Sequence, residues 1–355
     1  MATVSGTRPF LCGIIEGFYG KPWSHASRLA YAPILSRAGL NTCLYCPKGD
    51  PWLRRQWQER WPQQQWQELQ ELSKAYAAAG VAWGVGLSPF ALYQRYGAHQ
   101  RQQLRDKVGQ LEALGAPILA VLFDDMPGDV DALADRQAEI VSDIAAWLPQ
   151  TRLMMCPTYY SFDPVLERHF GTMPAGYWAR LGTLVPAAVD VFWTGNTVCS
   201  ATIEAHDIQR ANELMGRPVM LWDNYPVNDG AKRSNFIFTT PLPGRSAGLR
   251  PLLTGHLCNM MNQPLVSLPA ISGLTQLYIG NTLSTQALRS LLGSQLLTLL
   301  QRDAALFESA GLSGLEPGRR RALAAEYASL PGAGAAEVAD WLRGDYAFDP
   351  NCLTD

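Results

Sequence analysis

A chain of 355 residues is too long for one small domain and suits a single barrel of roughly 250 residues with an appendage. Its 47% hydrophobic and 17% charged content predicts a large buried core and excludes extensive disorder. With 29 Lys and Arg against 31 Asp and Glu, no global field draws it onto nucleic acid or an anionic membrane, so a neutral partner fits best.

Short apolar runs of β character occur at residues 10–15, 41–46, 81–87, 118–123, 153–156, 189–193, 219–222 and 254–258. They alternate with longer segments of helical period, the pattern of βα units around a parallel sheet. After the second run, Trp66, Leu69, Leu72 and Tyr76 fall on one helical face. After the third come Leu104, Val108, Leu111 and Leu114, and after the fourth Leu133, Ile140, Ile144 and Trp147. Gly80 and Gly115 stand where the first two of these helices need a left-handed stop.

Eight such units predict a closed (β/α)8 TIM barrel of the α/β class, with an open doubly wound sheet as the alternative. The stretch 227–244, rich in Pro and Gly, reads as a long loop after the seventh strand, and long loops in compact domains are commonly functional. From Ser284 only helix-forming stretches remain, at 288–300, 319–328 and 336–342. The sequence therefore divides into a barrel over 1–283 and a small helical C-terminal subdomain over 284–355.

No apolar stretch approaches the roughly 20 residues of a membrane helix, so no membrane role is expected. Seven cysteines form no even framework, and no charged-then-apolar leader pattern opens the chain, which points to a reducing cytoplasm. Cys43 and Cys46 form a CxxC inside an apolar run without a second pair, and read as buried thiols rather than a zinc or redox site. The five histidines are scattered without metal-ligand spacing, and no Walker loop or G-x-S-x-G elbow occurs, so neither metal nor cofactor is expected. His256, in the eighth run, is either a satisfied core histidine or the one histidine close to a site.

Polar and glycine-rich signatures cluster directly after the strands: Glu16-Gly17-Phe18-Tyr19-Gly20, Pro47-Lys48, Ser88-Pro89, Asp124-Asp125, Pro157-Thr158-Tyr159-Tyr160, Thr194-Gly195-Asn196, Asp223-Asn224 and Asn259. In a (β/α)8 barrel these positions converge on the mouth where catalytic residues sit. Asp124 and Asp125 end a buried apolar strand, where two carboxylates need a reason. Consecutive strand side chains point to opposite faces, so both reach the mouth only if the chain turns there, as Pro127 and Gly128 suggest. The alternative is that one Asp caps the following helix. If both face one site, like charges oppose double ionisation and split the pair into an acid and a base. Glycoside hydrolysis uses such a pair, and two adjacent carboxylates also suit a route in which the substrate's own acetamide is the nucleophile.

The stretches Gly13-Ile14-Ile15-Glu16-Gly17-Phe18-Tyr19-Gly20-Lys21-Pro22-Trp23, Tyr45-Cys46-Pro47-Lys48, Phe123-Asp124-Asp125, Cys156-Pro157-Thr158-Tyr159-Tyr160, Trp193-Thr194-Gly195 and Trp222-Asp223-Asn224, with Asn228-Asp229, occur in an order that resembles glycoside hydrolase family 84, the β-N-acetylglucosaminidases that include the O-GlcNAcases. The resemblance covers residues 10 to 280. It departs after Asn259, where Met260-Met261 stands in place of a common proline.

The resemblance implies a retaining exo-β-N-acetylglucosaminidase acting on terminal β-linked GlcNAc in a glycoside or glycopeptide, through an oxazoline and without a protein nucleophile. By the motif match, Asp124 would hold the acetamide N–H and Asp125 would serve as acid and then base, with Tyr160 near the acetamide oxygen. Gly17, Tyr19, Lys48, Asn224, Asp229 and Asn259 would surround the sugar, and Cys156, Tyr160 and Trp222 would wall the acetamide methyl. A hyaluronan-degrading endo-hexosaminidase and a GlcNAc-binding protein without turnover are the alternatives. An oligomer has no support in the sequence.

Overall fold

The computed structural model describes residues 8–346 and 348–354. Eight strands form a closed barrel in sequence order: β1 (Leu11–Glu16), β2 (Thr42–Tyr45), β3 (Ala82–Leu87), β4 (Ile118–Leu122), β5 (Arg152–Cys156), β6 (Asp190–Trp193), β7 (Val219–Asp223) and β8 (Leu253–Asn259). All neighbours pair in parallel, and β8 closes onto β1 with Ile15 opposite Asn259. The strands are buried almost throughout, which is why they read as unbroken apolar runs rather than as alternating ones.

Around the barrel lie α1 (His25–Ala38), α2 (Gln63–Ala78), α3 (Ala98–Glu112), α4 (Leu133–Trp147), α5 (Val165–Phe170), α6 (Tyr177–Leu184), α7 (Ala205–Met215) and α8 (Leu268–Tyr278). The apolar stripes expected of α2 to α4 face inward: Leu69, Leu72 and Tyr76, then Leu104, Val108 and Leu111, then Leu133, Ile140 and Ile144, are all buried. Gly80 and Gly115 take φ of +70° and +69°, the left-handed geometry that stops α2 and α3.

Beyond α8 the chain is helical: α9 (Thr285–Leu292), α10 (Ser294–Ser309), α11 (Pro317–Ala328) and α12 (Ala333–Arg343). The sequence predicts one helix over 288–300, but the structure divides it at Gly293, whose φ of +86° and ψ of 146° are open only to glycine. These helices brace the loops of the barrel mouth. Glu308 of α10 accepts from the Thr239 and Thr240 N–H groups at 2.6 and 2.7 Å, and Glu337 of α12 accepts from those of Leu265 and Val266 at 3.2 and 3.0 Å. Trp341 of α12 donates its indole N–H to the Ser234 carbonyl at 3.0 Å. The segment after α12 then crosses the mouth, with Asn351 beside Arg55 at 3.3 Å and Thr354 beside Tyr160 at 3.4 Å. Among the described residues, no helix is long and apolar enough to cross a membrane.

Candidate active site

The eleven residues to which the resemblance gives a role, from Gly17 to Asn259, all line one cavity at the carboxyl ends of the strands. The dyad follows β4. Phe123 still donates its N–H to the Cys156 carbonyl at 2.9 Å, and then the chain turns at Asp125, whose φ is +56°. This left-handed residue breaks the strand alternation and lets both carboxylates face the cavity. Neither Asp caps a helix: α4 starts at Leu133 behind Ala132. Such strain is kept where surrounding contacts hold it, and it gathers at functional sites.

The two carboxylates have different surroundings. Asp124 is 6% exposed; its Oδ2 accepts from the buried Lys48 ammonium, while its Oδ1 is buried with no partner among the described residues. Asp125 instead receives two phenols, Tyr19 on Oδ2 at 2.8 Å and Tyr160 on Oδ1 at 3.4 Å, and its Oδ2 lies 3.7 Å from the Lys48 nitrogen. Burial opposes the charge of Lys48, yet Asp124 and Asp125 outweigh it and raise its pKa. Burial, reinforced by Asp125, pushes the Tyr19 and Tyr160 hydroxyls well above the usual phenol range, so both remain proton donors.

The opposite wall is an amide lattice. Asn259 at the end of β8 accepts from the Gly17 N–H at 3.1 Å and donates to Asn224 Oδ1 at 3.0 Å. Trp222 donates its indole N–H to the same oxygen at 3.0 Å, and Asn224 donates to the Val198 carbonyl at 2.8 Å. The loops after β1, β6, β7 and β8 are thereby tied together. Gly17 must be glycine, because a Cβ there would lie 2.5 Å from the Trp222 ring. Asp229, in the long loop after β7, accepts the Tyr19 N–H at 2.7 Å, and burial pushes its carboxyl up to about 6. Cys156 ends β5; burial holds its thiol pKa well above the ordinary value, which keeps it a neutral wall.

Thr194, from the signature after the sixth strand, joins them in the cavity, and so do residues that the sequence reading left out: Val198, Cys199, Val227, Cys352 and Thr354. Val198 and Cys199 lie just past the Thr194-Gly195-Asn196 signature after β6, so the strand-end rule extended by a few residues finds them. Cys352 and Thr354 lie far along the chain and carry no such signal.

Beneath the mouth, Asp223 is fully buried between Arg245, bidentate at 2.8 and 2.6 Å, and His256 at 2.9 Å. Burial works against its charge, but Arg245 and His256 hold its pKa down to about 2. His256 also meets the Tyr278 hydroxyl at 3.0 Å and does not line the cavity, so it is a satisfied core histidine. Asp223, His256 and Cys258 are close enough to hold a metal, but both carboxylate oxygens are already engaged and the guanidinium would repel a cation.

The family model described as beta-N-acetylglucosaminidase matches residues 12–294. The mouse Protein O-GlcNAcase is 30% identical over 269 residues, covering 73% of this chain and 29% of that protein. Its rat counterpart is 30% identical over 264 residues, covering 72% and 28%. The chain thus spans less than a third of the length of these curated relatives. A solved structure of a mutant O-GlcNAc hydrolase from Thermobaculum terrenum superposes with a TM-score of 0.76 at 28% identity, covering 94% of this chain and 81% of that one. With the barrel, the paired carboxylates at the end of β4 and a match spanning most of its length, the chain belongs to the β-N-acetylglucosaminidase family of glycoside hydrolases.

Proposed function

We propose that this chain removes terminal β-linked N-acetylglucosamine from a glycoside or glycopeptide, retaining configuration through an oxazoline formed by the substrate's own acetamide. The observation that carries the reading is Asp124, whose one oxygen is fixed by Lys48 while the other is buried with no partner among the described residues. An acceptor so placed is costly to bury unless a donor arrives, and the acetamide N–H is such a donor. The names of the relatives, O-GlcNAcase and O-GlcNAc hydrolase, support the same sugar.

In the first step the acetamide oxygen attacks the anomeric carbon, the bond to the leaving oxygen breaks, and Asp125 delivers its proton to that oxygen. Asp124 accepts a hydrogen bond from the N–H, stabilises the positive charge that grows on the forming ring, and takes that proton as the neutral oxazoline forms. The tethered nucleophile supplies effective molarity that a free one lacks. In the second step water attacks the anomeric carbon and gives its proton to the Asp125 carboxylate, while the oxazoline nitrogen recovers its proton from Asp124 as the ring opens to the acetamide. Cys156, Tyr160 and Trp222 wall the acetamide, and Asp229 accepts ring hydroxyls. No cofactor enters either step.

Turnover of a fluorogenic N-acetylglucosaminide and an alkyl N-acetylglucosaminide by the wild type, Asp124→Ala and Asp125→Ala is the direct test. Asp125→Ala should spare the phenolic leaving group, which needs no proton, and lose about 10²-fold or more on the alkyl one. Asp124→Ala should slow both alike. Equal losses in the Asp125 variant would refute the division of roles.

A further inference from the structure

Asp125 is a non-glycine residue in the left-handed region, and a conformation of that kind persists only where its surroundings over-determine it. Its carbonyl oxygen accepts a hydrogen bond from Arg54 Nη2 at 3.1 Å. Arg54 is set by the preceding turn: Asp50 accepts the Trp52 and Leu53 N–H groups at 2.9 and 3.2 Å, starting the short 3-10 turn Pro51–Leu53 whose end is Arg54. The guanidinium is nine-tenths buried, 5.5 Å from the Phe90 ring and 6.0 Å from the Tyr19 ring. Its Nη1 has no hydrogen-bond partner among the described residues. A buried cation that leaves donors unspent is expensive as a structural prop, which argues that its charge is used.

We propose that Arg54 is a positioning residue for Asp125: it pins the left-handed backbone through the carbonyl and sets a positive charge beside the acid. This inference rests on the glycosidase reading above. The groups facing Asp125 are Tyr19 from the loop after β1, Lys48 from the loop after β2, Asp124 on its own segment, Tyr160 from the loop after β5 and Asp229 from the loop after β7. Arg54 adds a second cation to Lys48, and it reaches the residue's backbone whereas Lys48 reaches the carboxylates. Tyr19 links the two effects, since its ring lies beside the guanidinium and its hydroxyl donates to Asp125 Oδ2.

Two consequences separate this role from simple support of the fold. Without the carbonyl anchor the acid drifts from the leaving oxygen, so the loss depends on whether the leaving group needs a proton. Without the cation a carboxylate is less favoured, so the basic limb of kcat/KM moves to higher pH.

The experiment measures kcat/KM for a phenolic and an alkyl N-acetylglucosaminide across pH for Arg54→Met, Arg54→Gln and Arg54→Lys, with thermal midpoints for each. Arg54→Met should lose about tenfold or more on the alkyl substrate and under about threefold on the phenolic one. Arg54→Gln, which keeps an N–H donor but no charge, should show the shifted limb, and Arg54→Lys should return the limb toward the wild-type pH. If Arg54→Met does not fold, the Gln and Lys variants carry the comparison alone. Equal loss on both substrates, or an unmoved basic limb in Arg54→Gln, overturns the proposal. A wild type that turns over neither substrate refutes instead the glycosidase reading on which it rests.

Discussion

The two walls of the cavity use their polar atoms in opposite ways. On the β4 side, Asp124 keeps a buried oxygen without a partner among the described residues and Asp125 accepts two phenol hydroxyls, whereas on the β7–β8 side Asn224 and Asn259 spend their amides on Trp222, Val198, Gly17 and each other. The contrast separates a wall that can do chemistry from one that holds shape. Loss of a carboxylate on the first should strike kcat, and loss of an amide on the second should strike KM.

The largest effect is expected at Asp124. Asp124→Ala should lower kcat by about 10² to 10³-fold on every leaving group, read from steady-state kinetics at saturating substrate. Lys48→Met comes next, because it removes the one ammonium that pairs directly with both buried carboxylates among the described residues; a stability loss of about 3 to 5 kcal/mol should appear in denaturant unfolding. On the lattice wall, Asn259→Ala orphans the Gly17 N–H and one acceptor face of Asn224, so KM should rise several-fold with kcat nearly kept, and stability should fall by about 1 to 3 kcal/mol. A kcat loss matching that of Asp124→Ala would erase the distinction between the walls.

Two smaller effects depend on pH. Burial pushes the Asp229 carboxyl up to about 6, so KM for the sugar should rise as pH falls through that value, and Asp229→Asn should have a KM flat across the same range. Glu337 is raised from 4.5 to about 7 by burial. A carboxyl whose folded pKa is raised contributes stability below its unfolded pKa and loses it as pH climbs through the folded one. The midpoint of Glu337→Gln should therefore gain on that of the wild type between about pH 4.5 and 7 and run parallel outside that window, as melting curves across pH would show.

Much of the barrel was legible because parallel strands buried on both faces leave continuous apolar runs, and because the residues that follow them stand out as polar against that background. The eight runs lie within about two residues of the observed strands, and helix stops such as Gly80 and Gly115 carry their geometry in their identity. The turn at Asp125 was only half legible: Pro127 and Gly128 signalled a bend, but the left-handed residue is Asp125 itself. The hydrogen-bonded lattice of Asn224 and Asn259 joins four loops and has no local pattern. The approach of Cys352 and Thr354 to the cavity is set by how α9 to α12 dock on the loops after β7 and β8, which no stretch of neighbouring residues encodes. The break at Gly293 was missed because Leu288, Leu292, Leu296 and Leu300 keep a helical apolar period across it.

The central claim is that the substrate's acetamide, steered by Asp124, forms the first new bond to the anomeric carbon. The direct measurement is kcat/KM for wild type on N-acetyl, N-fluoroacetyl, N-difluoroacetyl and N-trifluoroacetyl glucosaminides sharing one leaving group. Each fluorine drains the amide oxygen of electron density, so the account predicts a steep and continuous fall along the series; equal rates for all four would contradict it.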